Sequence, residues 1–144
     1  MLKIMHTADW HIGNFPGPAP KDGKNLRFRD ICAYIEFLIG KAKELSPDII
    51  IIAGDIFNQA KTWSDRGLQE TNIIINYISQ LADIAPTCVL RGTPNHDGKM
   101  HFDLLSTALG DNPRIYIIDE PCVKNIDNLA AVTFVPIFNK NMYR

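Results

Sequence analysis

The sequence has no long hydrophobic run, which argues against a membrane-spanning helix. Its longest apolar stretch, IIIIA at 49–53, is far shorter than the roughly 20 residues that cross a bilayer. The N-terminus turns polar after five residues, too soon for the apolar core of a secretory signal peptide. We therefore expect a cytoplasmic chain that makes no membrane contact.

Cysteine motifs and an excess of one charge are also missing. The three cysteines, Cys32, Cys88 and Cys122, are widely spaced and form no C-x-x-C pair. We interpret them as reduced core residues rather than as metal ligands or a disulfide framework. The 15 basic and 16 acidic residues leave a net charge of −1, so overall charge predicts neither nucleic-acid nor membrane binding.

The sequence does contain enough apolar material for one folded domain, since its 144 residues are 46% hydrophobic and 22% charged. Apolar residues recur every three or four positions over 28–45, as in an amphipathic helix, whereas 48–53 resembles a buried parallel strand. The predicted elements are strands at 1–5, 48–53, 87–90, 115–118 and 130–135, and helices at 28–45, from 64 or 65 to 85, and at 102–109. Their alternation predicts an α/β fold with a mainly parallel sheet and covering helices.

Polar side chains follow each of the first three predicted strands. Asp9 and His11 lie in the run HTADWHIG after the first strand, and Asp55 lies in AGDIFN after the second. Asn95 and His96 lie in GTPNHDG after the third strand. Because ligands of parallel sheets bind beyond the carboxyl ends of the strands, we expect the fold to bring these side chains together.

These five side chains have the chemistry to hold two divalent cations. An extended loop can aim Asp9 and His11 at one ion, and the two oxygens of Asp55 can bridge two ions. Asn95 offers a neutral oxygen to the second ion, and His96 can protonate a leaving oxygen. Mixed oxygen and nitrogen ligands favour Mn²⁺, Fe or Zn²⁺. Two metals about 3.5–4 Å apart are typical of phosphate ester hydrolysis.

Each motif alone has a plainer explanation. A single D-x-H or N-H-D run can form a turn with surface side chains, and Gly-Asp after a strand often caps a turn. The succession of three motifs after three strands favours the metal site. We expect structural roles for five neighbours: His6 at the strand end, Trp10 and Phe57 packed around the site, Asp97 in a turn or against the adjacent histidine, and His101 at a helix N-terminus or on the surface.

The runs HTADWHIG, DIIIIAGDIFN and NHD resemble the motifs of the calcineurin-like metallophosphoesterases. Within that family they are most similar to the SbcD-type nuclease subunits of double-strand-break repair, and the resemblance extends over residues 1 to about 136. It implies a four-layer α/β/β/α sandwich, of which this chain forms the first half. It also implies hydrolysis by two-metal hydroxide attack on phosphorus, with Mn²⁺ as the usual metal and other divalent transition metals as alternatives.

The family pattern also implies a role for each motif residue of this sequence. Asp9 and His11 become ligands of the first metal, and Asp55 becomes the bridge between the two metals. Asn95 becomes a ligand of the second metal. His96 becomes the catalytic histidine, which contacts the scissile phosphate.

The sequence departs from the family pattern in three places. The third motif usually reads G-N-H-D or G-N-H-E, but here Thr-Pro separates the glycine from Asn95, which is expected to reshape the loop. Asn58 stands where the second motif often has Asp, which should alter loop hydrogen bonding. The further histidines of the family have no counterpart after His101. We therefore expect 1–144 to be the N-terminal portion of one longer phosphoesterase domain, with at most one weakly held Mn²⁺ and little activity by itself.

Basic residues near the three motifs suggest a surface for the substrate. They are Lys21, Lys24, Arg27, Arg29, Lys61, Arg66, Arg91 and Lys99. One interpretation is a rim that holds a phosphate backbone. The alternative is a set of ordinary solvated loops, since Asp22, Asp30 and Asp65 dilute the positive charge.

Three functions follow from these features. The first is a Mn²⁺-dependent exo- or endonuclease of DNA repair or recombination. The second is a phosphatase that acts on a small phosphoester or a phosphoprotein. The third is a non-catalytic subunit or fragment that binds DNA or an SbcC-like ATPase. The expected partners are DNA and an SbcC-like ATPase subunit, with a homodimer as a further expectation.

Overall fold

The structure is a computed structural model, which describes residues 1–13, 15, 25–60 and 65–136, with α2 side chains from Gly67 onward. Its elements are β1 (Ile4–Thr7), α1 (Leu26–Leu45), β2 (Ile49–Ala53), α2 (Asp65–Ile84), β3 (Thr87–Leu90), α3 (Lys99–Leu109), β4 (Ile115–Ile118), β5 (Cys122–Ile126) and β6 (Ala130–Phe134). Strands β1 to β4 form a parallel sheet in sequence order, and β5 pairs with β6 in an antiparallel hairpin. The predicted α/β fold with a parallel sheet and covering helices is confirmed.

All three helices pack on one face of the parallel sheet. Alternate residues of β2, Ile50 and Ile52, are fully buried in the same cluster as Ile35 of α1, Ile78 of α2 and Phe102 of α3. Burying one such side chain contributes about 1.5–3 kcal/mol. The helices therefore cover one face of the sheet, and the loops lie beyond the carboxyl ends of its strands.

The hairpin of β5 and β6 covers part of the opposite face of the sheet. Ile126 and Phe134 of the hairpin pack in a second buried cluster with Cys88 of β3. Burial raises the pKa of the Cys88 thiol to about 12, and all three cysteines are free, in agreement with their interpretation as reduced residues. Strand β5 was not predicted, because three exposed residues separate its half-buried first residue from its buried last one.

The first strand and the third helix have other boundaries than predicted. The first strand was expected at 1–5 but begins at Ile4 and continues through His6 and Thr7, which pair with β2. Strand β1 is at the edge of the sheet, where one exposed polar side chain such as His6 is tolerated. Helix α3 begins at Lys99, three residues before its predicted start. In the described part of the chain, no helix combines the length and apolarity needed to cross a bilayer.

Candidate metal centre

The loops after β1 and β2 run side by side beyond the sheet. The backbone N–H of Asp9 donates to Gly54 O (3.0 Å), and the N–H of His11 donates to Asp55 O (3.0 Å). Ile12 and Phe57 then form an isolated parallel bridge. This ladder holds the first two motifs next to each other at the carboxyl edge of the sheet, as the strand order predicts.

Three of the candidate donors have left-handed backbone conformations. The φ angles are 55° at Asp9, 48° at His11 and 50° at Asp55. Such conformations cost on the order of 1–3 kcal/mol each outside glycine, and they cluster where a binding site requires them. The backbone ladder between the two loops maintains them here.

The third loop is a turn that begins at Thr93. The Thr93 carbonyl accepts from the N–H groups of His96 (3.0 Å) and Asp97 (2.8 Å). Proline has the fixed φ that suits the second position of such a turn, which Pro94 occupies. Asn95 is exposed, and its backbone carbonyl accepts from a backbone N–H of the second loop (3.0 Å). The inserted Thr-Pro pair thus forms the start of the turn that presents the last two motif residues.

One carboxylate and two imidazoles meet where the three loops converge. Donor atoms of His11, Asp55 and His96 all lie within 4.8 Å of one another. The two rings meet edge to face, with centroids 4.4 Å apart and an interplanar angle of 81°. Asp9 Oδ1 lies 3.7 Å from His11 Nε2, and the Asp9 side chain is 71% exposed. An imidazole nitrogen together with carboxylate oxygens fits Mn²⁺, Fe or Zn²⁺ better than Ca²⁺ or Mg²⁺.

A backbone carbonyl orients the His96 ring. His96 Nδ1 lies 2.7 Å from Asn58 O, and a carbonyl can only accept, so Nδ1 carries the proton and Nε2 is left for the site. Gly13 leaves room for this arrangement, because a Cβ at that position would overlap the Asn58 side chain. This bond uses the backbone carbonyl of Asn58, which any residue type would offer, so the predicted effect of its side chain on loop hydrogen bonding stays a prediction.

The buried Asp97 carboxylate fastens the second loop to the third. Asp97 Oδ1 accepts from the N–H groups of Ile56 and Phe57 (3.0 Å each), and Oδ2 accepts from the N–H of Gly92 (2.8 Å). A side chain at Gly92 would overlap Asp55, so only glycine allows this approach. Burial raises the pKa of Asp97, while the three N–H donors oppose that shift. The structural role expected of Asp97 is confirmed.

His101, in helix α3, packs against Phe57 of the second loop. His101 was expected at a helix N-terminus or on the surface; it lies in the first turn of α3 but is only 2% exposed, so the surface alternative is wrong. Its ring stacks on Phe57 with centroids 3.8 Å apart and an angle of 4°. Burial lowers its pKa, and its Nδ1 has no hydrogen-bond partner among the described residues. Trp10 is buried and donates to Thr7 Oγ1 (2.9 Å). The packing expected of Trp10 and Phe57 is therefore confirmed.

The basic residues are only partly within the described structure. Lys21, Lys24, Lys61 and the side chain of Arg66 lie outside it. Arg27 lies 4.0 Å from the centre of the Phe15 ring, and Arg29, two residues further along α1, is exposed. Arg91 Nε donates to a backbone carbonyl of the third loop (2.9 Å), and Lys99 forms an exposed pair with a carboxylate one turn along α3 (3.4 Å). Arg91 thus has a structural contact, whereas substrate binding by these residues stays a prediction.

Thr93 contacts the Asp55 carboxylate, and no motif in the sequence predicted this contact. Its backbone N–H and its hydroxyl both donate to Asp55 Oδ1, at 2.6 and 2.9 Å. The insertion before Asn95 marked this position as unusual, but a threonine in a loop does not by itself indicate which side chain it contacts.

The comparison with protein families agrees with this geometry. The model of the calcineurin-like phosphoesterases matches residues 2–140. The match spans nearly the whole chain and includes all three loops that meet at the donor cluster. It supports a metal-dependent phosphoesterase with a centre for divalent metal. The chain therefore belongs to the calcineurin-like phosphoesterase family.

Proposed function

We propose that the protein is a cytoplasmic, Mn²⁺-dependent nuclease that hydrolyses DNA phosphodiesters. The observation that carries the hydrolytic part is the cluster of His11, Asp55 and His96, whose donor atoms lie within 4.8 Å of one another. The choice of DNA is supported by the similarity of the three motifs to SbcD-type nuclease subunits. By the same similarity, an SbcC-like ATPase is the proposed partner.

The site residues of this chain have two proposed roles, as metal ligands and as a proton donor. His11 and Asp55 would hold the first ion, with the exposed Asp9 beside His11 as a further ligand. Asn95, in the third loop, would contribute to the second ion. When bound, two such cations neutralise the charge that develops on a phosphate and clamp the attacking and leaving oxygens.

His96 is the proposed proton donor to the leaving oxygen. The bond from its Nδ1 to Asn58 O (2.7 Å) fixes the ring and directs the other nitrogen away from that carbonyl. A protonated Nε2 can then donate to the leaving oxygen once a phosphate ester lies over the cluster. Arg27, Arg29 and Lys99 are the described basic residues that we propose to hold the flanking phosphates of a polyanionic substrate.

A substrate comparison tests this proposal. Full-length protein loaded with Mn²⁺ is expected to degrade linear duplex DNA and to hydrolyse an aryl phosphate much more slowly, and chelation should abolish both reactions.

The other outcomes identify the alternative functions. Hydrolysis of the aryl phosphate without DNA cleavage would replace the nuclease by a phosphatase of the same family. Metal loading without either activity would indicate a subunit that binds but does not cleave.

A further inference from the structure

The central carboxylate of the site is held through one of its two oxygens. Asp55 Oδ1 accepts the backbone N–H of Thr93 at 2.6 Å and the Thr93 hydroxyl at 2.9 Å. A carboxylate oxygen has about two lone-pair positions in its plane. The two bonds from Thr93 therefore occupy Oδ1, and Oδ2 is the oxygen left for a cation.

The position of Thr93 is itself fixed by the third loop. The adjacent Gly92 N–H donates to buried Asp97 (2.8 Å), and the Thr93 carbonyl accepts from the N–H groups of His96 and Asp97. Thr93 is half-buried between these contacts. Its hydroxyl is thus held by a closed turn and serves as a fixed donor to the neighbouring loop.

We propose that Thr93 is a positioning residue, which holds the Asp55 side chain so that Oδ2 alone binds metal. This inference rests on the proposed function, because it assumes that Asp55 is a ligand. A cation would therefore be held through Oδ2, since binding through Oδ1 as well would require a Thr93 bond to break. Neighbours that orient a metal ligand typically change affinity by about 10–100-fold when they are removed.

Thr93→Val tests the proposal, because valine keeps the shape of threonine and the backbone N–H but lacks the hydroxyl. The expected result is a Mn²⁺ affinity about 10–100-fold weaker than that of the parent chain, measured by calorimetric titration. Thr93→Ser retains the hydroxyl and should restore most of the affinity. Thr93→Ala, a second variant without the hydroxyl, should weaken binding as valine does.

Thr107→Val is the matched control. The Thr107 hydroxyl donates to a backbone carbonyl within α3 (2.8 Å), on an exposed part of the helix, and this variant should bind Mn²⁺ like the parent. Circular dichroism establishes that each variant is folded at the titration temperature. Equal affinity in the parent, Thr93→Val and Thr93→Ala would overturn the proposal.

The Asp55 rotamer in the absence of metal tests this inference independently of the proposed function. In metal-free crystals, the Asp55 side chain is expected to keep its rotamer in Thr93→Ser and to leave it in Thr93→Val. An unchanged Asp55 in Thr93→Val would overturn the positioning role. A parent chain without Mn²⁺ affinity, but with the expected rotamer change, would uphold that role and contradict the proposed metal centre.

Discussion

Replacing Asp55 by asparagine is expected to remove at least one metal ion from the full-length protein while the fold is retained. The amide lacks the negative charge that lets two cations lie close together. The contacts of Thr93 make the effect larger: the two donors that now reach Asp55 Oδ1 would select the amide oxygen. The NH₂ group would then face the ion, and it cannot act as a ligand.

Metal analysis after Mn²⁺ loading and gel filtration measures this effect. Asp111→Asn makes the same chemical change at an exposed position between α3 and β4, at the opposite edge of the sheet, and should retain all the metal of the parent. Two full equivalents of Mn²⁺ in Asp55→Asn would show that this carboxylate does not bridge the ions.

His96→Ala is expected to lower turnover of the full-length protein by about 10²–10⁴-fold, the usual contribution of a general acid. Its metal content should stay close to that of the parent, because the proposed role of His96 lies on the substrate side. Single-turnover DNA cleavage, measured beside the Mn²⁺ content of the same sample, gives both quantities.

The position of His96 lets this experiment distinguish a proton donor from a metal ligand. Its donor atom lies within 4.8 Å of those of His11 and Asp55, so the geometry also allows it to act as a ligand. If metal and activity disappear together in His96→Ala, the proton-donor role is wrong and His96 binds a metal directly.

The placement of the site could be predicted from the sequence for a simple reason. Unbroken apolar runs such as 49–53 indicate parallel strands buried on both faces. The carboxyl ends of such strands meet at one edge, so the loops with His11, Asp55 and His96 had to converge. The residue types in these loops, histidine and aspartate, then indicated a site for a divalent metal.

The contacts that hold the site in shape could not be predicted in the same way. The bond to His96 comes from the backbone carbonyl of Asn58, which every residue type carries. Thr93 reaches Asp55 only because the turn after β3 closes at that point. His101 is polar, yet it is buried by stacking on Phe57. These contacts depend on tertiary geometry, whereas sequence patterns report local periodicity.

Anomalous diffraction tests the metal centre most directly. Crystals of the chain are soaked in MnCl₂, and data are collected on both sides of the manganese absorption edge. We expect an anomalous peak at the carboxyl edge of the sheet, within coordination distance of His11 and of Asp55 Oδ2. No peak between these side chains at saturating Mn²⁺, or a peak at another surface alone, would contradict a metal centre built by these three loops.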